Sequence, residues 1–196
     1  MKIYYLTLNK REHIFKEGTP VSFINIIKSG YVKLYLENKN NCRIFNIAKT
    51  GNILGIKSLY TGNSHYSAEA LEKTEICYID HNIFRSLISC SNAFAKETLK
   101  HTCLECHNSL INIIKLNDKN IYGKVAEILL YFYCLSGNYT FKILLSRNEL
   151  ANFAGMSRER FTTSLKYFEE EEIIKINKND IEILNKTRLE KLTRYY

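Results

Sequence analysis

The chain has 196 residues, room for one or two domains with a substantial core. Its 45% hydrophobic and 24% charged composition, with one proline and eight glycines, excludes collagen-like and low-complexity chains, and no apolar run approaches the ~18 residues of a membrane-crossing helix. A net charge of +8 suits an anionic partner, although most of the excess precedes residue 118, with +6 over 1–117 and +2 over 118–196.

The stretch from Met1 to Arg11 lacks the apolar segment and cleavage site of a signal peptide, so a cytoplasmic location without a membrane partner is expected. Six cysteines there serve as thiols, metal ligands or redox groups rather than as a disulfide framework. Residues 14 to about 80 read as short strands: Ile14-Phe15, Ile24–Ile27, Tyr31–Leu36, Arg43–Ile47 and Glu75–Ile79 are rich in β-branched and aromatic side chains. Turn signals separate them at Glu17-Gly18, Ser29-Gly30, 38–41, Thr50-Gly51-Asn52 and Thr61-Gly62-Asn63. Such spacing predicts a jelly-roll or barrel.

The pattern changes at Asp80, a candidate cap for a short helix whose Ile83, Phe84, Leu87 and Ile88 share a face. From Asn92 to Leu116 no proline or glycine interrupts the chain, and Leu99, Cys103, Cys106, Leu110 and Ile113 recur at spacings of 4, 3, 4 and 3. That heptad seam predicts a dimerisation helix; a helix buried within one subunit is the plainer alternative. A second stripe, Leu104, His107, Ile111 and Ile114, is expected to cover the barrel. Residues 117–120 form the candidate hinge. A helix follows with Val125, Ile128, Leu129, Phe132 and Tyr133 inside and Gly137 as its C-cap, then a strand over Tyr139–Leu144.

Residues 146–170 hold the most information. Ser146 caps a helix, with Glu149 three residues on to complete a capping box. Leu150, Ala151 and Ala154 keep its inner face small, and Gly155 suits the left-handed turn. Ser157 caps a second helix that Phe161, Leu165 and Phe168 anchor, which leaves Arg158, Glu159, Thr162, Thr163 and Lys166 pointing outward. Helix, tight turn, helix, with polar groups at the second helix's start, is how a helix-turn-helix enters a major groove. Ile173–Ile176 and Ile181–Leu184 around Asn177–Asp180 read as a hairpin, making the whole a winged helix-turn-helix. The acid run Glu169–Glu172 is expected to end the second helix and face solvent.

In this order the chain resembles the cyclic-AMP receptor protein/FNR superfamily of bacterial transcription regulators. The resemblance rests on Ile14–Pro20, Ile26–Leu34 with its central Gly30, Gly51–Gly55, Gly123–Leu129 and, most specifically, Gly155-Met156-Ser157-Arg158-Glu159. It implies an α+β chain with three parts. These are a β-roll (double-stranded β-helix, cyclic-nucleotide-binding-like) sensory domain over 1–90, a long dimerisation helix over 91–117, and a winged helix-turn-helix DNA-binding domain over 118–196. By position, it implies that Ser146, Arg147, Ser157 and Arg160 contact phosphates and that Arg158 and Glu159 read bases. Arg can donate twice to guanine, and Glu can accept from cytosine. Relatives often carry arginine where Thr163 stands; Thr162 or Thr163 could instead touch a thymine methyl, and Lys166 would add a phosphate contact.

For the sensory domain the resemblance implies an effector pocket near Gly55, Ile56, Tyr66, Ser67 and Ser109. Cyclic-nucleotide-binding relatives carry glutamate after the glycine and arginine before the serine; here those positions are Ile56 and Tyr66. Cyclic AMP is therefore not expected, since its phosphate would lack a charge-assisted partner; Lys57 and His65 are nearby but stand at neither place. The N-terminal cysteines that hold a [4Fe–4S] cluster in FNR-type relatives have no counterpart before Cys42. Cys42, Cys77, Cys90 and Cys134 are isolated. Cys103 and Cys106 lie on the seam, where two chains would gather four thiols, either as packing groups or as ligands for a metal or cluster. His65, His101 and His107 leave a haem open.

The expected function is a homodimeric, sequence-specific transcription regulator on a pseudo-palindromic DNA site, governed by a signal other than cyclic AMP. A redox, metal or haem-based gas sensor of the same family is the near alternative. A ligand-binding or protein-interaction module with a non-functional helix-turn-helix is the distant one. Activation would also require RNA polymerase as a partner. No phosphate-binding loop, metalloprotease helix or nucleophile elbow is present, so no enzyme is expected.

Overall fold

The computed structural model describes residues 4–38, 41–117 and 119–194; the turn positions 39–40 and the hinge residue Asp118 lie outside them. The chain forms two compact units, Met1–Leu110 and Ile111–Tyr196.

Among the described residues the first unit contains eight strands: β1 (Tyr4–Leu8), β2 (His13–Phe15), β3 (Phe23–Ser29), β4 (Tyr31–Asn38), β5 (Asn41–Lys49), β6 (Ile53–Leu54), β7 (Ser67–Ala70) and β8 (Thr74–Asp80). They form two four-stranded antiparallel sheets, in the orders β1-β8-β3-β6 and β2-β7-β4-β5. Every strand sends a side chain into one core, from Leu8, Phe15 and Ile27 to Val32, Leu34, Ala48, Leu54, Ala68, Ala70 and Ile76. This is the expected roll. Gly30 makes the β3–β4 turn at φ +89°, and a Cβ there would lie 2.5 Å from the Thr74 hydroxyl, so the turn and its close approach both demand glycine.

Three helices belong to this unit: α1 (Ser58–Thr61), α2 (His81–Cys90) and the start of α3 (Asn92–Asn117). Asp80 caps α2 by accepting the Asn82 N–H at 2.8 Å. Phe84 of α2, with Leu59 and Phe94, covers the outer face of the first sheet at Ile24, Cys77 and Ile79. This second apolar layer explains why β3 and β8 are nearly continuous hydrophobic runs rather than alternating ones.

The second unit holds α4 (Ile121–Ser136), β9 (Thr140–Lys142), α5 (Arg147–Ala154), α6 (Arg158–Glu170), β10 (Ile174–Asn177), β11 (Asp180–Ile183) and α7 (Lys186–Leu192). Asn120 caps α4 through the Gly123 N–H, and Gly137 ends it in the left-handed conformation. Val125, Ile128, Leu129 and Phe132 are buried; Tyr133 is only half-buried, with its ring beneath the Lys186 ammonium at 4.7 Å. The expected 139–144 strand is shorter than its apolar stretch: β9 pairs with β11, while Leu144 and Leu145 are buried outside it. α7 ties back to the start of the unit, where the Lys119 Nζ donates to Glu127 Oε1 at 2.6 Å and to the Thr193 carbonyl at 2.7 Å.

Candidate nucleic-acid interface

The helix-turn-helix forms as its local chemistry demands. Ser146 accepts the Glu149 N–H while the Glu149 carboxylate accepts the Ser146 N–H at 2.8 Å, a closed capping box. Gly155 turns the chain at φ +67°, and Ser157 caps α6 by accepting the Arg160 N–H. Phe161, Leu165 and Phe168 are buried, so the opposite side of α6 faces water. Arg158, Glu159, Arg160, Thr163 and Lys166 are exposed, whereas Thr162 is half-buried. Hydrogen bonds from its own backbone N–H and the Ser157 hydroxyl hold the Glu159 carboxyl below the usual range. It is therefore ionised and only accepts.

The wing adjoins the start of α5. A crevice of about 130 Å³ opens there, lined by Ser146, Arg147, Ile176, Lys178, Asn179 and Asp180. Arg147 is half-buried, with one guanidinium nitrogen enclosed and without a hydrogen-bond partner. Burial lowers its pKa, against the opposing pull of Glu169. Ser146 is exposed, and its N–H and hydroxyl both donate to Glu149. The acid run ends α6 as expected, with Glu169, Glu170 and Glu172 exposed. Glu169 accepts the Ile176 N–H at 3.0 Å, and Glu171 pairs with Arg188, so two of its carboxylates fasten the wing and α7 to α6.

In the sensory unit the candidate pocket residues separate. Tyr66 packs edge-on against Phe15 and Phe45 at 5.3 and 5.7 Å between ring centres, and its phenol oxygen accepts the Gly55 N–H at 3.3 Å. Burial pushes its pKa up to about 12. Ile56 instead packs into the outer layer with Leu59 and Phe84. Ser67 is buried and accepts the Glu17 N–H at 2.9 Å. Ser109 accepts from the Asn46 amide at 3.0 Å, and one turn earlier Glu105 accepts from Asn52 at 2.6 Å. Of the candidate residues, Gly55 and Tyr66 are joined directly by a hydrogen bond, and the α3 residues Glu105 and Cys106 act electrostatically on the same phenol. The Gly55 amide is capped by the chain's own phenol, and with Ile56 and Tyr66 in place of a carboxylate and a cation these residues do not fit a cyclic nucleotide.

Among the described residues no three His, Cys, Asp or Glu side chains gather within one chain. His65 and His107 are exposed and His101 is half-buried. No helix among them is long and apolar enough to cross a membrane.

Residues 5–90 match the cyclic nucleotide-binding domain family, and residues 123–192 match the Crp-like helix-turn-helix domain. The chain belongs to the cyclic-AMP receptor protein/FNR (CRP/FNR) superfamily of transcription regulators. It is similar to the fumarate and nitrate reduction regulatory protein of Vibrio cholerae, 25% identical over 94% of this chain and 76% of the relative. It also resembles the transcriptional activator protein Anr of Pseudomonas protegens, 22% identical over 93% and 77%. The fold matches that of FixK2 from Bradyrhizobium japonicum with a TM-score of 0.88 at 18% identity, covering 98% of each chain.

This chain is a transcription regulator with a Crp-like helix-turn-helix DNA-binding domain, and its α3 carries an exposed apolar face. Leu99 and Leu110 are 65% and 60% exposed, and Cys103, Cys106 and Ile113 are exposed beside them. The stripe expected to cover the roll does not do so: Leu104, His107 and Ile114 are exposed and Ile111 is half-buried. The roll is met by the polar face of Glu105 and Ser109, whose hydrogen bonds to Asn52 and Asn46 replace the anticipated apolar contact. Alternating polar and apolar positions were legible in this helix; which stripe faced which neighbour was not.

Proposed function

We propose that this regulator reads a pseudo-palindromic DNA site with the first turns of α6, each protomer taking one half-site. The observation that carries the reading is the pairing of an ionised acceptor, Glu159, with a five-donor group, Arg158, on the exposed side of a helix whose other side is fully anchored. Arg158 donates to guanine and Glu159 accepts from the cytosine amino group. Thr163 offers its methyl to thymine, with half-buried Thr162 at the margin of that contact. Ser157, Arg160, Lys166 and Arg147 hold phosphates, and Ser146 acts by fixing the α5 N-terminus. Two-fold symmetry puts half-site centres about 34–36 Å apart.

Selection from randomised duplexes followed by gel shift tests this. Enrichment of an inverted repeat is expected; no enrichment at low salt would leave the helix-turn-helix non-functional. Lys166→Ala is expected to weaken all sequences alike and to reduce the salt slope by about 1, because it removes one phosphate contact.

The roll responds to a signal other than a cyclic nucleotide, because Tyr66 stands where the phosphate's cation would. Titration calorimetry with cyclic AMP is expected to give no saturable heat and no change in Tm. Saturable binding would overturn the assignment of Tyr66 as a plug.

A further inference from the structure

We propose that Cys103 and Cys106 of the two protomers form one tetrathiolate zinc site across the dimer seam. At 100° per residue, Leu99, Cys103, Cys106 and Leu110 fall within about 60° of one another around α3. The roll-facing Glu105 and Ser109 lie about 100° away. Both thiols are exposed in the single chain, on the apolar face that the homodimer covers, with Leu99 and Leu110 one turn on either side. A single chain supplies only two ligands, and no third His, Cys, Asp or Glu joins them among its described residues. The partner's copy of the same pair completes the set.

The spacing favours one metal ion. Residues three apart on a helix hold their Cβ atoms about 5–6 Å apart, wider than the roughly 3.5–4.5 Å of a disulfide. Two sulfurs on a zinc ion with bonds of about 2.3 Å stand roughly 3.8 Å apart, within reach of the cysteine side chains from those Cβ positions. Across the two-fold axis, helices at about 8–10 Å bring the second pair to the same point. Adjacent a and d layers of a parallel pair then surround the ion with four sulfurs. Four thiols release their protons to solvent as zinc binds, and the ion stays divalent. The resulting −2 charge lies one turn or less along the helix from Lys100, which pairs with Glu97 at 3.7 Å, and from exposed His107 on each chain. The site therefore ties the dimerisation helix α3 to zinc supply.

The site rests on the two-fold pairing of α3, which sedimentation reports independently of metal. The full-length protein, reduced and stripped with a chelator, is titrated with Zn²⁺ and, separately, with Co²⁺. The expected result is a dimer that takes up one ion per two chains, with Co²⁺ giving intense tetrahedral-thiolate absorption. C103S and C106S should each abolish that absorption, and the double variant should bind no stoichiometric metal. The double variant should still sediment as a dimer, because Leu99, Leu110 and Ile113 remain on the seam. A dimer that binds no metal, or uptake unchanged by the serine variants, would each overturn the site. A monomer would overturn both the site and the pairing beneath it.

Discussion

Phe161→Ala is expected to destabilise the DNA-binding unit by about 3–5 kcal/mol. Phe161 is 0% exposed, as is Phe168 on the same side of α6. Its ring is the first apolar anchor after the Ser157 cap, on the face that α6 turns toward α4 and α5. Removing this fully buried ring leaves a cavity between α6 and the helices it packs on. A domain of this size has about 5–15 kcal/mol in total, so a large share of its stability would go. Urea denaturation followed by circular dichroism measures this. The transition of the second unit should move to lower denaturant while that of the roll stays in place, the two units being separate bodies of contacts. Thr163→Ala, on the exposed face of the same helix, should change stability by no more than about 0.5 kcal/mol. Equal melting of the two variants would mean that α6 is not seated on that core.

Arg158→Ala should have the opposite profile: unchanged folding and lost discrimination. The side chain is exposed at the first position of α6, so nothing in the core depends on it. A bidentate arginine–guanine contact is worth about 1–3 kcal/mol of discrimination, or roughly 5–150-fold in the preference for the selected half-site over one changed at that base. Reversal of charge, Arg158→Glu, should abolish selective binding, because a second carboxylate would sit beside Glu159 against the base edges. Competition gel shifts with the selected duplex and its single-base variants give the ratio directly. If discrimination is unchanged while overall affinity falls, Arg158 holds a phosphate, and base reading belongs elsewhere on α6.

The parts of this molecule that were legible from sequence are those whose physics is local. Ser146 with Glu149, Ser157, Asp80 and the glycine at 155 each specify a cap or turn within four residues, and each does so in the structure. The Phe161, Leu165, Phe168 stripe likewise needs only helical periodicity. Strand β1 escaped notice because four of its five residues are exposed at a sheet edge, so Tyr4 to Leu8 shows no alternation. α7 spans seven residues with one buried side chain, Leu189, too short for a periodic signal. The sensory site was half legible. Tyr66 replacing a cation was visible in the letters, but its bond to Gly55 joins β7's approach to a loop eleven residues earlier. Ile56 turned outward into a layer that only the folded sheet and α2 create. Thr162 was read as fully outward and is half-buried, the margin of a helix face that periodicity locates only to within one position.

The Lys119 clamp bears on how this protein is made. One ammonium group holds Glu127 and the Thr193 carbonyl, 74 residues further along, and a Cβ on Gly123 would come within 3.1 Å of the Leu192 carbonyl. The opening helix of the DNA-binding unit is thus finished by the closing one. A nascent chain on the ribosome can complete the roll from its own residues, but α4 lacks α7, one of the elements it packs against, until residue 193 has left the exit tunnel. Contacts of such long sequence separation form late, and domains fold as units during synthesis. The sensory half is therefore in place before the half that touches DNA can close.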